Sequence, residues 1–319
     1  MDLVLTVIGL AALVGAGDSL VRGAVALSLR LGVPALIVSL TVVAFGTSAP
    51  ELLVGIEAAL SDADGIVFGN VVGSNIANVL LVLGAPAVIS GVHAGEDDCR
   101  RDWQVMMGVS ALFILLCFLG PLSWPHGVVL VGGLALMLID AYRRADAQRR
   151  RNGEAAAELI DIEDADPHMA PWKIGTLLAV GIVGLPLGAH LLIEGARGVA
   201  AAAGVSEAAI GLTLVAVGTS LPELVTTVMA ALRRQTDVAI GNVVGSNLFN
   251  ILAIMGVVSF ISDLDVPPEL LSLDLWVMIA CGALLWPLIF RGASLGRASG
   301  FGLLGLYVLY AVIVLVPRM

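Results

Sequence analysis

Two glutamates carry the chemistry that this sequence offers. Glu51 closes the run Gly46-Thr47-Ser48-Ala49-Pro50-Glu51, and Glu223 closes Gly218-Thr219-Ser220-Leu221-Pro222-Glu223. Both runs lie in strongly apolar sequence, where a carboxylate is costly unless something cationic meets it. Thr47 and Glu51 are four residues apart and share a helical face, with Ser48 beside them. Pro50 has no N–H, so the carbonyl of Gly46 loses its helical donor, and the ring crowds that turn. Carbonyls around Ala44 to Thr47 are therefore expected to be loosened beside a carboxylate. At membrane depth such oxygens persist only where they line a cavity or bind something. The second run repeats the arrangement with Ala216, Gly218, Thr219, Ser220, Pro222 and Glu223. Carboxylates, hydroxyls and loose carbonyls form a hard, all-oxygen donor set. It suits Ca²⁺, which takes about six to eight oxygens in flexible geometry, and also Na⁺. It does not suit Zn²⁺ or Cu, which favour nitrogen and sulfur ligands.

A second pair of runs supplies the facing wall. Gly69-Asn70-Val71-Val72-Gly73-Ser74-Asn75-Ile76-Ala77-Asn78 matches Gly241-Asn242-Val243-Val244-Gly245-Ser246-Asn247-Leu248-Phe249-Asn250. Ser74 and Asn78 stand one helical turn apart on one face, as do Ser246 and Asn250. The glycines read as a small-residue strip for close helix packing. Asn70, Asn75, Asn242 and Asn247 read equally as interhelical glue or helix-end caps and as ligands. All four runs belong to one duplication with a constant offset of 172 residues. It holds without a gap from Thr41/Thr213 to Gly84/Gly256, with 22 identities over 44 positions. Polar residues match as faithfully as apolar ones, which shared hydrophobicity alone would not produce.

The elements that must position these residues are membrane-spanning helices. The chain has 319 residues, of which 59% are hydrophobic and 13% charged, with mean hydropathy +1.00. A soluble domain carries about 25% charged residues. Apolar stretches long enough to span recur along nearly the whole length, which implies helices rather than barrel strands. The formal charge of −10 gives no reason to expect nucleic acid, and Cys99, Cys117 and Cys281 form no metal or disulfide pattern. The first apolar run lacks a basic flank and is too long for a signal peptide, so it reads as a first span. Ten spans are expected, near 3–29, 35–60, 66–90, 104–121, 124–142, 172–200, 208–232, 238–261, 271–291 and 297–316. Residues 143–171 are polar and charged and divide the chain into five-span halves, 1–142 and 172–319. The acidic part of this linker reads as a solvated connection. Because five is odd, the second half enters the membrane from the opposite side, an inverted-topology repeat with its site at the midplane. Basic residues orient the whole: with both termini outside, 13 of the 16 Lys and Arg face the cytoplasm, together with the linker. Asp18 with Arg22, and His190 with Glu194, read as structural pairs along their helices, with Arg22 meeting Glu194 as an alternative.

With these motifs in place, the sequence resembles the cation/calcium exchanger superfamily, and most closely the prokaryotic sodium/calcium exchangers. The two duplicated stretches, about 41–84 and 213–256, look like that family's alpha-repeats. The resemblance implies a Ca²⁺ site formed by Glu51, Glu223 and the carbonyls of Thr47 and Thr219. It implies Na⁺ sites that pair Ser74 with Ala216 and Ser246 with Ala44, with Ser48 and Ser220 alongside. It also implies a midpoint lined by Asn78 and Asn250, with Gly46, Pro50, Gly218 and Pro222 supporting the helix breaks. Some members carry an aspartate at a midpoint position, including a K⁺-coupled branch. Two asparagines here argue against K⁺ coupling.

The resemblance further implies electrogenic exchange of three Na⁺ for one Ca²⁺ in a cell membrane, without enzymatic activity. The transported ions and the lipid bilayer are the expected partners. No cofactor and no nucleic acid are expected, and the sequence names no protein partner. A Ca²⁺/H⁺ antiporter on the same scaffold is the first alternative, because a buried glutamate can protonate. A cation channel is weaker, and an intramembrane enzyme weaker still, since no histidine or lysine stands within the motifs to activate a hydroxyl.

Overall fold

The computed structural model describes residues 2–92, 97–152, 169–202, 218–291 and 294–315. Among these the regular structure is helical apart from two isolated bridges, Val92 with Leu295 and Leu122 with Leu264. An all-helical build is what the bilayer demands, since each spanning segment must satisfy its own backbone. The first half runs through α1 (Asp2–Leu31), α2 (Ala35–Val38), a π-helical turn Ser39–Val43 and α3 (Ala44–Thr47). It continues through α4 (Ala49–Leu60), α5 (Asp64–Ala77), a π-helical turn Asn78–Val82, α6 (Gly84–Ile89), α7 (Asp97–Phe118) and α8 (Trp124–Asn152). The second half comprises α9 (Pro171–Ala202), α10 (Leu221–Leu232), α11 (Thr236–Phe249), a π-helical turn Asn250–Met255 and α12 (Gly256–Val258). It ends with a π-helical turn Leu270–Asp274, α13 (Leu275–Leu284), α14 (Trp286–Arg291) and α15 (Arg297–Leu315).

Eight described helical spans are long and apolar enough to cross a membrane. A ninth results if Ala35–Thr47 and Ala49–Leu60, bent by 45° at Ser48, count as one. The remaining expected span, 208–232, falls partly outside the described residues, and α10 is its described part.

The span formed by α11, its π turn and α12 is the centre of the molecule, with 94% of its apolar window buried. It packs against α2, the Ser39–Val43 turn and α3 of the other half. A Cβ at Gly245 would lie 2.6 Å from Ala44 Cβ and 2.7 Å from the Leu40 carbonyl oxygen, so only glycine allows this approach. Ser39 adds a hydroxyl hydrogen bond to the Val238 carbonyl at 2.6 Å. By contrast, α1 and α9 form a pair at the periphery, packed mainly on each other with broad faces left for lipid. Their backbones also touch: a Cβ at Gly9 would run into the Leu192 backbone.

The first residues of the polar stretch that begins at 143 are helical, because α8 continues to Asn152. Charge pairs at helical spacing extend it: Asp140 with Arg144 at 3.1 Å and Asp146 with Arg150 at 2.9 Å. Arg144 also holds the buried Asp102 of α7 at 2.7 Å, fastening the extension to the bundle. The acidic stretch from Glu154 to Asp166 lies outside the described residues. Asp18 pairs with Arg22 at 4.0 Å as expected, but its closer partner, which the sequence does not suggest, is Arg233, whose Nε donates at 2.6 Å. Arg233 follows α10, so this pair ties α1 to the second half. His190 and Glu194 pair as expected, at 3.6 Å.

Candidate functional site

At the helix breaks on which the site depends, the residue that precedes the second helix has the same backbone geometry in both halves. α3 stops at Thr47 and α4 starts at Ala49, with Ser48 between them at φ −84°, ψ 5°. Ser220, which precedes α10, has φ −84°, ψ 4°. Pro50 and Pro222 each occupy the first turn of the helix that follows. There the missing proline N–H costs nothing within the new helix but interrupts the ladder from the old one. Ser48 N–H still reaches the Ala44 carbonyl at 3.0 Å, so that carbonyl is less free than the sequence suggests. The Gly46 carbonyl, four residues before Pro50, keeps no helical donor. Gly46 and Gly218 are both buried, Gly46 against Ile182 and Gly218 against Ile193 of α9.

These breaks carry Glu51 and Glu223 into the interior, each only 1% exposed. The carboxylates are close enough to interact electrostatically. Ser48 donates its hydroxyl hydrogen bond to Glu223 Oε1 at 3.1 Å, so the first half orients the second half's carboxylate. Thr47 Oγ1 stands 3.2 Å from Asn242 Oδ1, 3.4 Å from Ser246 Oγ and 3.3 Å from the Ala44 carbonyl oxygen. Ala44, Thr47 and Ser246 thus meet at one point. Asn70 donates to the Glu51 carbonyl at 2.9 Å, and Asn242 donates to the Glu223 carbonyl at 3.3 Å. These two asparagines are glue: each clamps its glutamate's backbone from the next helix.

The other four asparagines form two crossed pairs. Asn78 donates to Asn247 Oδ1 and Asn250 donates to Asn75 Oδ1, both at 3.0 Å. The two bonds are exchanged by the 172-residue offset, so the duplication holds in three dimensions at this point. Six buried side-chain oxygens nevertheless have no hydrogen-bond partner among the described residues: Glu51 Oε2, Glu223 Oε2, Asn78 Oδ1, Asn250 Oδ1, Ser220 Oγ and Thr226 Oγ1. Leaving such atoms unmet is expensive. Five of the six belong to residues that the sequence nominates for the ion site, Thr226 being the exception, and all are hard donors.

Of the other nominated residues, Ser74 is buried and one turn before Asn78, and Thr219 is half-buried at the second break. Ala216 lies outside the described residues, and with it the expected pairing to Ser74. Two features escape the sequence pattern. Asn78 and Asn250 each open a π-helical turn, a widening that often marks functional sites but leaves no signature in apolar periodicity. Thr226 and Thr227, both fully buried, add hydroxyls below Glu223 where the first half has Val54 and Gly55. Only a residue-by-residue comparison of the repeats could signal them.

The family model described as sodium/calcium exchanger protein matches residues 1–142 and 173–316. The chain is 32% identical to the sodium/calcium exchanger MaX1 of Methanosarcina acetivorans, over 98% of each chain. It is 31% identical to the inner membrane protein YrbG of Escherichia coli, over 96% of this chain and 94% of that one. Among solved structures, the sodium-calcium exchanger NCX_Mj superposes with a TM-score of 0.81 at 30% identity, covering 99% of both chains. The chain therefore belongs to the sodium/calcium exchanger family and is a multi-pass membrane protein of cation/calcium antiport.

Proposed function

We propose that this chain exchanges Na⁺ for Ca²⁺ by alternating access at a midplane site between two inverted five-span repeats. In this reading Glu51, Glu223 and the carbonyls of Thr47 and Thr219 hold Ca²⁺. Na⁺ occupies flanking positions at Ser246 with Ala44 and Ser74 with Ala216, with Ser48 and Ser220 alongside, and Asn78 and Asn250 line the midpoint. Both termini face outward and the segment from 143 to 171 faces the cytoplasm, in the cell membrane.

One observation carries the proposal: two buried carboxylates, one from each half, each keep an oxygen that no group among the described residues meets. Ionised, the pair holds a charge of −2, which is expensive to enclose in a low-dielectric barrier. One Ca²⁺ or two Na⁺ neutralises it, and a third Na⁺ leaves +1. The ion-free protein should then resist switching while loaded forms switch, which makes exchange obligatory. Both ions need the same two carboxylates and so compete. Three-for-one exchange moves one net charge, worth about 2.3 kcal/mol per 100 mV. An inward Na⁺ gradient then drives Ca²⁺ out. The asparagines at 78 and 250 add no charge, which favours K⁺-independent coupling.

The test is ⁴⁵Ca²⁺ uptake into proteoliposomes under imposed Na⁺, K⁺ and H⁺ gradients. An outward Na⁺ gradient is expected to drive uptake, and K⁺ to be without effect. Uptake driven by a pH gradient in Na⁺-free buffer would replace this reading with Ca²⁺/H⁺ antiport. Unitary currents would replace it with a channel.

A further inference from the structure

We propose that Met106 and Met278 set the polarity of a buried amide relay, so that Asn78 and Asn250 turn oxygen rather than nitrogen toward the ions. This inference rests on the ion site proposed above. A primary amide can rotate by half a turn and exchange its donor and acceptor ends. The crossed pairs Asn78–Asn247 and Asn75–Asn250 would be equally well bonded if every amide were reversed. Reversed, however, they would present NH₂ groups to a cation, which repel it.

The tie is broken one residue further out. Asn247 Nδ2 donates to the Met106 sulfur at 3.6 Å, and Asn75 Nδ2 donates to the Met278 sulfur at 3.7 Å. A thioether sulfur is an acceptor only. With Asn247 reversed, its carbonyl oxygen would face Met106 with no proton between them. The sulfur therefore fixes Asn247 with Oδ1 inward. That Oδ1 takes the Nδ2 of Asn78 at 3.0 Å, and the remaining Oδ1 of Asn78 is one of the buried oxygens without a partner among the described residues. The chain from Met278 through Asn75 to Asn250 Oδ1 runs the same way. Both methionines are buried, Met106 on α7 and Met278 on α13. They are separated by the same 172 residues as every other pair in the site, although they lie beyond the closely matching stretch. They touch no ion in this scheme and are positioning residues.

The two relays differ in strength. Asn75 Nδ2 also reaches the Asn247 carbonyl at 3.4 Å, a second acceptor that holds the same orientation. Among the described residues Asn247 Nδ2 has Met106 alone. Met106 should therefore matter more than Met278.

The experiment measures the apparent KM for Ca²⁺ and the maximal rate of Na⁺-driven ⁴⁵Ca²⁺ flux in Met106→Leu, Met278→Leu and Met106→Gln. Leucine keeps the volume and removes the acceptor. Met106→Leu is expected to raise the KM about tenfold, as loss of an outer-shell partner does, with the maximal rate kept. Met278→Leu should raise it less, and Met106→Gln, which restores an oxygen acceptor, should return it toward wild type. An unchanged KM in Met106→Leu overturns the relay. So does a fall in rate and thermal stability at constant KM, which would mean packing alone, or a glutamine variant no better than leucine. Wild-type protein that exchanges normally beside a silent Met106→Leu leaves the exchanger reading intact. Wild-type protein that fails to exchange removes both.

Discussion

The duplicated stretches 41–84 and 213–256 share half their residues, yet the fold treats them differently. Local geometry is copied faithfully. Ser48 and Ser220 have the same backbone angles, and α4 and α10 are both 12 residues long, as α5 and α11 are both 14. Asp62 and Arg234 hold the same left-handed turn, at φ 52° and 56°. Surroundings are not copied. The apolar window of the span through α11 is 94% buried, whereas that of the span through α5 is 72% buried. Ser48 reaches Glu223, but its copy Ser220 has no partner for its hydroxyl among the described residues. A duplicated sequence thus fixes two identical devices, and packing gives each a different environment. Under the proposed mechanism such inequality is what an alternating site requires, because one arrangement of the halves cannot be its own mirror.

The largest expected effect tests what the two halves share. Glu51→Gln and Glu223→Gln should each reduce Na⁺-driven ⁴⁵Ca²⁺ flux to background, since either leaves a single carboxylate. Undiminished flux in one of them would make the site one-sided. A smaller effect tests where the halves part. Ser48→Ala removes the donor to Glu223 and should raise the KM for Ca²⁺ about tenfold, the low end for one hydrogen bond to a charged group. Ser220→Ala should leave that KM near wild type and act on Na⁺ instead. Equal Ca²⁺ shifts would erase the asymmetry.

Packing is tested by the matching glycines. Gly245→Ala forces a Cβ into Ala44 and Leu40 and should cost about 1–3 kcal/mol of stability. Gly73→Ala meets nothing within 4 Å among the described residues and should stabilise by roughly 0.5–1 kcal/mol. Thermal unfolding in detergent reads both, and shifts of the same sign would refute the packing contrast. The smallest effect concerns the pair between α1 and the end of α10. Arg233→Ala should cost up to about 1 kcal/mol, because Asp18 and Arg233 are both about a quarter exposed. Arg22→Ala should cost less, and the reverse order would return Asp18 to its helical neighbour.

Much of the candidate site is legible from local chemistry. Pro50 and Pro222 announce the breaks because a residue without N–H cannot continue the ladder. Glu51 and Glu223 announce themselves because a carboxylate in an apolar run needs a reason. What is not legible is which asparagines clamp and which pair. Asn70 and Asn75 are the same residue type five positions apart, yet Asn70 holds the Glu51 backbone while Asn75 holds Asn250. The length of α8 is likewise hidden, since Arg143 to Asn152 is polar enough for a linker and becomes helix through pairs with Asp102 and Asp140.

The sequence by itself determined the membrane class, the duplication, the two breaks and the hard-oxygen character of the donors. Each follows from composition, repetition or the chemistry of a single residue. Only the tertiary structure decided that Ser48 serves Glu223, that the asparagines cross between halves, and that Met106 and Met278 stand behind them. Those contacts join residues 141 to 203 positions apart. They exist only once the helices have chosen their neighbours, and no local pattern along the chain encodes that choice.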